Sequence, residues 1–274
     1  MIDGPVVAHL ATVSRRVGHN AFASPMIKIW ATRLVIILFM LLPFELAHDF
    51  FHESIPSAQE VLSETFIMLL STSLYYHIGI TAVETLAGFA FGIALGICSG
   101  ILIGSNRTAT DVFSPLLLAV YAVPKIIFLP IVIMIFGLGL ATKVANAALH
   151  AFFPIVLNCL AGMRDVQPVH TKMVRSLGAR PVQVVAKVYL RGMVAPLFTG
   201  MRLALGMAFL GSLIAELFQA SAGLGFLVRH HYEIGEIKEM VAVIVVVFLV
   251  TLLLNALMKL PETRLNTWRR VWRT

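Results

Sequence analysis

The chain has 274 residues, 59% of them hydrophobic, and a mean hydropathy of +0.90. A soluble domain carries about 45–50% apolar residues, so the composition excludes one and describes a polytopic helical membrane protein with apolar runs of span length. The formal charge of +7 lies in loops beside those runs rather than in one patch, which argues against nucleic acid as a partner.

Residues 1–26 are polar, with Arg15 and Arg16, and read as a cytoplasmic tail. No cleavable signal peptide is evident. The first span is expected over Ile27–Ala47. An acidic loop without Lys or Arg follows to His77, and within it Val61, Leu62, Phe66, Leu69 and Leu70 predict a short amphipathic helix at the membrane surface. The second span, Ile78–Gly104, carries Gly88, Gly92, Gly96, Gly100 and Gly104 at every fourth position. Such a stripe lets another helix approach closely, so these five glycines are read as helix packing. The third span, Val112–Phe136, contains Pro115, Pro124 and Pro130 and is expected to be kinked or broken. A turn at Gly137–Leu140 leads to the fourth span, Thr142–Gly162. The fifth and sixth are expected over Val194–Leu217 and Lys238–Leu260, before a basic tail. Cys98 and Cys159 both fall inside spans, which suggests neither a disulfide framework nor a zinc site.

Orientation follows from Lys and Arg. With the N-terminus inside, sixteen basic residues fall on the cytoplasmic side and three outside: Lys143, Arg229 and Lys238. Six spans with both termini cytoplasmic are therefore expected.

Between the fourth and fifth spans, Met163–Arg191 forms the one long polar interruption of the second half. Pro168 suits a helix N1 position, and Val169, Met173, Val174 and Leu177 share an apolar face. Gly178 suits the C′ position that ends the helix, and Pro181 restarts a second one with Val182, Val185 and Tyr189 on one side. Six Lys and Arg and one acid, Asp165, decorate this hairpin.

R-S-L-G-A at Arg175–Ala179, followed by V-Y-L at Val188–Leu190, resembles the Glu-Ala-Ala loop of ABC-transporter permeases, the membrane subunits of binding-protein-dependent importers. Gly178, Val188 and Leu190 match the loop's Gly, Ile and Leu. Lys172, Met173 and Val174 stand where the family has Glu-Ala-Ala, and Arg191 where it has Pro. Further motifs are similar to the nitrate, sulfonate and taurine branch, in order and spacing over residues 55–260. These are I-P-S-A-Q-E-V at Ile55–Val61, H-x-x-x-T at His77–Thr81, G-F-A-F-G at Gly88–Gly92 and P-K-I-I-F-L-P at Pro124–Pro130. F-G-L-G at Phe136–Gly139, F-F-P-I at Phe152–Ile155, T-G-M-R-L-A-L-G at Thr199–Gly206 and S-A-G-L-G at Ser221–Gly225 complete the set. Glu84 departs from the Arg usual near that position.

The resemblance implies an all-α, type I importer permease core over residues 55–260, with a peripheral first transmembrane helix and the start of an external loop at 27–54 and a basic cytoplasmic tail at 261–274. It implies a bacterial inner-membrane protein that pairs with a second permease, as a homodimer, around one pathway for a small solute such as nitrate, a sulfonate, taurine or a vitamin precursor. Two ATPase subunits would dock on the hairpin through Lys172, Met173, Val174, Arg175, Ser176, Leu177, Gly178 and Ala179, and an external binding protein would deliver the solute. Membrane lipids complete its surroundings. No G-x-x-x-x-G-K-[ST] phosphate loop is present, so this chain would bind no cofactor and ATP with Mg would sit on the partner. An ion-gradient transporter, the alternative, needs acid or His relays and internal repeats that are not visible. An intramembrane enzyme would need a Ser/His or His/carboxylate constellation, which is also missing.

Four ionisable groups fall in or at the edge of spans. Intramembrane charge costs about 2.5–3.5 kcal/mol at a helix centre and marks a pathway or a pair, unless the group snorkels to water. Glu84 and Glu216 are read as snorkelling near an interface, with Glu216 kept as a pathway candidate beside Lys125 and Arg202. The adjacent His230 and His231 are a poor metal pair and read as a solvated loop, so no metal site is expected.

Overall fold

The computed structural model describes residues 56–270, and their side chains through Met258. The chain divides at Gln59, and the helices below belong to the unit that begins at Glu60, the first two residues of α1 excepted. The expected first span, Ile27–Ala47, lies outside the described residues.

Every element assigned is helical: α1 (Ala58–Leu70), α2 (Thr72–Gly104), α3 (Arg107–Ala122), α4 (Leu129–Phe136), α5 (Leu140–Arg164), α6 (Pro168–Ser176), α7 (Pro181–Val184), α8 (Val194–Gln219), α9 (Leu224–Ile234) and α10 (Ile237–Arg270). A 3-10 turn, Lys125–Phe128, joins α3 to α4, and α7 continues through π-helical Val185–Tyr189 into a last turn, Leu190–Gly192.

The glycine stripe of α2 lies on α5 in a constant register. A Cβ at Gly88 would overlap that of Ala147, and Cβ atoms at Gly92, Gly96, Gly100 and Gly104 would come within 2.5, 2.7, 2.6 and 2.5 Å of Ala151, Ile155, Cys159 and Met163. Both helices step by four residues in the same direction, so α2 and α5 run parallel. The chain between them must therefore return across the membrane, and the α3–α4 segment does so with a 90° bend. The bend sits where Pro124 follows Val123: a residue before proline is driven out of the α region, and Val123 is extended at φ −68°, ψ 133°. Pro130 then falls in the first turn of α4, where its missing N–H is harmless. Pro115 is carried inside α3. Four helices long and apolar enough to cross a membrane plus this bent pair supply five crossings among the described residues.

Packed against α5 and also touching α2, α8 runs antiparallel to both. Gly200 abuts Asn158 and Pro154 near one end, and Gly211 abuts His150 and Ala147 near the other. The resulting three-helix core is built from Ala147, Ala151 and Ile155 of α5 with Ala204 and Ala208 of α8, flanked by Phe89 and Ile93 of α2. Small side chains in its centre bring backbones close, the packing that apolar solvent demands. A second core joins Leu74, Phe209, Leu224, Val243 and Val246, so α10 closes the bundle against α2, α8 and α9.

Two local expectations change. In α1, Val61 and Thr65 are buried and Met68 and Leu69 pack on the second core, while Leu62, Phe66 and Leu70 face outward. The helix has two apolar faces, and one of them docks on protein. The sixth span, expected to reach Leu260, coincides with the apolar stretch Ile237–Met258, and its helix continues past Pro261 to Arg270. His230 and His231 stand on α9 rather than in a loop: His231 Nδ1 meets Glu236 Oε2 at 2.7 Å, and His230 stacks on Phe226.

Candidate functional site

At one end of the bundle stands the hairpin. Pro168 opens α6 at its first turn. Gly178 closes it at φ +76°, a left-handed conformation that costs a glycine nothing. Its N–H donates to the carbonyl of Arg175 at 3.0 Å and that of Ala179 to Val174 at 3.3 Å, the paired bonds of a Schellman stop. The second helix is less regular than its sequence suggests. In its first turn Val184 is buried while Val182 is 78% exposed, and the helix then passes through a π-helical turn.

Two faces of α6 then separate. Val169, Met173 and Leu177, at four-residue spacing, are 59%, 59% and 78% exposed, an apolar ridge that the described residues leave uncovered. Thr171, Lys172 and Arg175 turn the other way and line a cavity of ≈ 830 Å³ against the ends of α2, α3 and α5. Lys172 and Arg175 thus face the bundle. Ser176 donates to the carbonyl of Met173 at 2.8 Å.

At the opposite end, helices bury a polar cluster that the sequence reading missed. Glu84 and Lys143 form an ion pair at 2.7 Å with side chains 1% and 9% exposed. Glu84 does not snorkel; it lies one helical turn before Gly88, on the stripe that α5 covers. Glu216, fully buried, accepts from Thr81 Oγ1 and from the Gly225 N–H, both at 2.7 Å. Thr81 Oγ1 also accepts from the Leu224 N–H at 2.9 Å, and His77 Nδ1 from the Gly223 N–H at 3.0 Å. Three successive amides at the start of α9, which helix geometry leaves without partners, are therefore capped by side chains of α2 and α8. The H-x-x-x-T motif and the S-A-G-L-G motif, far apart in sequence, are the two halves of this clamp. Gly223, at φ +119°, leaves no room for a Cβ because the Glu216 carboxylate occupies that space. Around the clamp, Thr85 and Ser212 hydroxyls meet at 2.7 Å and Asn146 Nδ2 donates to the Gly211 carbonyl at 2.7 Å.

Lys125 sits in the break of the bent span, 7% exposed. Its ammonium donates to the Tyr121 carbonyl at 3.1 Å and lies 4.3 Å from the Tyr121 ring centre and 5.4 Å from that of Phe153. Those aromatic faces stabilise the cation. Arg202 is half-buried on α8. Lys125, Arg202 and Glu216 are thus held at separate places: a helix break, the first half of α8, and the clamp. Among the described residues no group of His, Cys, Asp or Glu is arranged to hold a metal ion.

The family model described as "binding-protein-dependent transport system inner membrane component" matches residues 92–268. The chain is 31% identical over 202 residues to a putative aliphatic sulfonates transport permease protein of Bacillus subtilis, covering 74% of this chain and 73% of that one. It is 28% identical over 219 residues to the taurine transport system permease protein of Escherichia coli, covering 78% and 80%. Its fold is similar to that of a chain in the crystal structure of an amino acid ABC transporter with histidines, at TM-score 0.56 and 17% identity over 69% of this chain and 92% of the other.

Proposed function

The chain belongs to the family of inner-membrane components of binding-protein-dependent transport systems, the ABC-transporter permeases, and from that premise we propose that it forms half the solute pathway of an ATP-driven importer and couples to a separate ATPase through Met163–Arg191. The observation that supports coupling is the uncovered ridge of Val169, Met173 and Leu177 on a helix stopped by Gly178. A short helix presenting apolar side chains at i, i+4 and i+8 is the form in which helices seat in grooves. Residues Lys172 to Ala179 form the coupling segment: Met173 and Leu177 anchor, Gly178 sets the turn, and Lys172 and Arg175 brace the helix from behind. A second copy completes the pathway, two ATPases carry ATP and Mg, and an external binding protein delivers the solute. Closure of the ATPases tilts the two bundles as rigid bodies between inward-open and outward-open states. Lys125 and Arg202 are the cations placed within the spans to meet the solute, and small organic sulfonates, the class named for two relatives, are the first candidates to screen on the binding protein. Within this scheme residues 55–260 are the permease core, 27–54 a peripheral helix, and 1–26 and 261–274 cytoplasmic flanks.

Gly178→Asp tests the coupling. The variant inserts and folds, because nothing lies within 4 Å of that position, while the left-handed backbone costs a side chain about 1 kcal/mol and the turn presents a charge to the groove. Co-purification of the ATPase and ATP-dependent uptake in vesicles are both expected to be lost; retention of both would remove the hairpin from the coupling role.

The sixteen-to-three excess of basic residues supports a cytoplasmic hairpin. Ser176→Cys is therefore expected to resist an impermeant thiol reagent in intact cells and to react in inverted vesicles. Labelling from outside would overturn that orientation.

A further inference from the structure

The cavity behind α6 has a use that coupling does not explain. Its wall holds four cations, Arg107, Arg164, Lys172 and Arg175, and one acid, Asp111. Arg164 and Asp111 are paired at 3.3 Å. No acid pairs with Arg107, Lys172 or Arg175 among the described residues, although like charges around one concave space repel and ought to be neutralised. The three come from separate places, the start of α3 and two positions one turn apart on α6, so they converge by fold rather than by sequence proximity. The floor is apolar, formed by Leu160 and Met163 of α5, which are 3% and 4% exposed. Gly104, the last residue of the first described span, lies on the rim, which puts the cavity where membrane-crossing helices end.

We infer that this cavity binds the phosphodiester headgroup of an anionic glycerophospholipid. Two guanidiniums and an ammonium supply directed donors and charge for phosphate oxygens, and basic pockets between span ends are where lipid headgroups bind. The place of the cavity, where membrane-crossing helices end, sets these donors at headgroup level and makes a lipid rather than free phosphate the occupant. The occupant neutralises the charges that otherwise push α6 away from α3, and so holds the hairpin against the bundle. The inference does not depend on the coupling role, because it concerns the face of α6 turned away from the Met173 ridge.

The test is lipid binding to the purified full-length permease, read by native mass spectrometry and by the thermal midpoint. Phosphatidylglycerol is expected to give a retained adduct and a raised midpoint, and phosphatidylcholine neither. Arg107→Gln/Arg175→Gln should weaken phosphatidylglycerol binding at least tenfold, and Lys172→Gln alone should weaken it measurably. Lys187→Gln/Arg191→Gln removes the same charge from the other side of the hairpin and should leave binding unchanged. Equal loss in that control would reduce the effect to general surface charge and overturn the site. Full displacement of phosphatidylglycerol by inorganic phosphate at equal concentration would overturn the lipid as occupant, and equal retention of phosphatidylcholine would overturn the charge recognition.

Discussion

Replacing Lys143 with Met is expected to destabilise the bundle more than any other single change of charge in the chain. The substitution keeps side-chain length but strands Glu84, whose side chain is 1% exposed and whose Oε2 has no hydrogen-bond partner even in the intact protein. Removing one partner of a buried pair costs about 3–5 kcal/mol, because the remaining charge stays desolvated and uncompensated. Glu84 also faces Glu216, so the stranded charge would sit beside a second carboxyl. The loss should spread to the clamp on α9, since Lys143 also reaches the Ala222 carbonyl at 3.5 Å, beside the capped amides. The double variant Lys143→Met/Glu84→Gln should recover most of the stability, because neutral groups of similar shape remove the unpaired charge. Thermal unfolding of the three purified variants measures this. If the double variant is no more stable than Lys143→Met, the two side chains do not act as a pair.

That pair was legible in principle. The stripe on α2 and its partners on α5 differ by a constant offset from Gly88 and Ala147 to Gly104 and Met163. One step backward along the same register sets Glu84 opposite Lys143. The sequence reading took the two residues singly, one as snorkelling and one as an outer-loop charge, because nothing in a single chain identifies which helix covers a glycine stripe. Local signals fared differently. Pro168, Gly178 and Pro181 each restrict their own backbone dihedrals, so the ends of α6 and the start of α7 were readable from residue type alone. Pro124 likewise marked the break in the bent span. The π-helical turn at Val185–Tyr189 was not readable, since no residue there forbids an α-helix and the shift reflects how the hairpin meets α8. The clamp on α9 escaped for a third reason. His77, Thr81 and Glu216 cap amides contributed by a distant loop, and capping across tertiary structure leaves no spacing pattern in the sequence.

Replacing Gly92 with Leu should abolish the folded bundle outright. A Cβ there would lie 2.5 Å from that of Ala151 and 3.1 Å from the backbone carbonyl of Ala148. Ala151 is the smallest neighbour a chiral residue can offer, and a backbone carbonyl in a helix cannot swing aside, so only movement of the whole of α5 makes room. Even Gly92→Ala is expected to cost about 1–3 kcal/mol by overpacking, against a helix-propensity gain of about 1 kcal/mol for alanine over glycine. Gly92→Leu adds a branched side chain to the same gap. Because α8 packs on α5 through Ala204 and Ala208, displacing α5 also opens the core of Ala147, Ala151, Ala204 and Ala208. Gly79→Leu on the same helix is the control, since nothing lies within 4 Å of that position. Fluorescence-detected size-exclusion yield in mild detergent should therefore be near wild type for Gly79→Leu, reduced for Gly92→Ala and absent for Gly92→Leu. A monodisperse Gly92→Leu protein with altered uptake would place the stripe on the solute route instead of between helices.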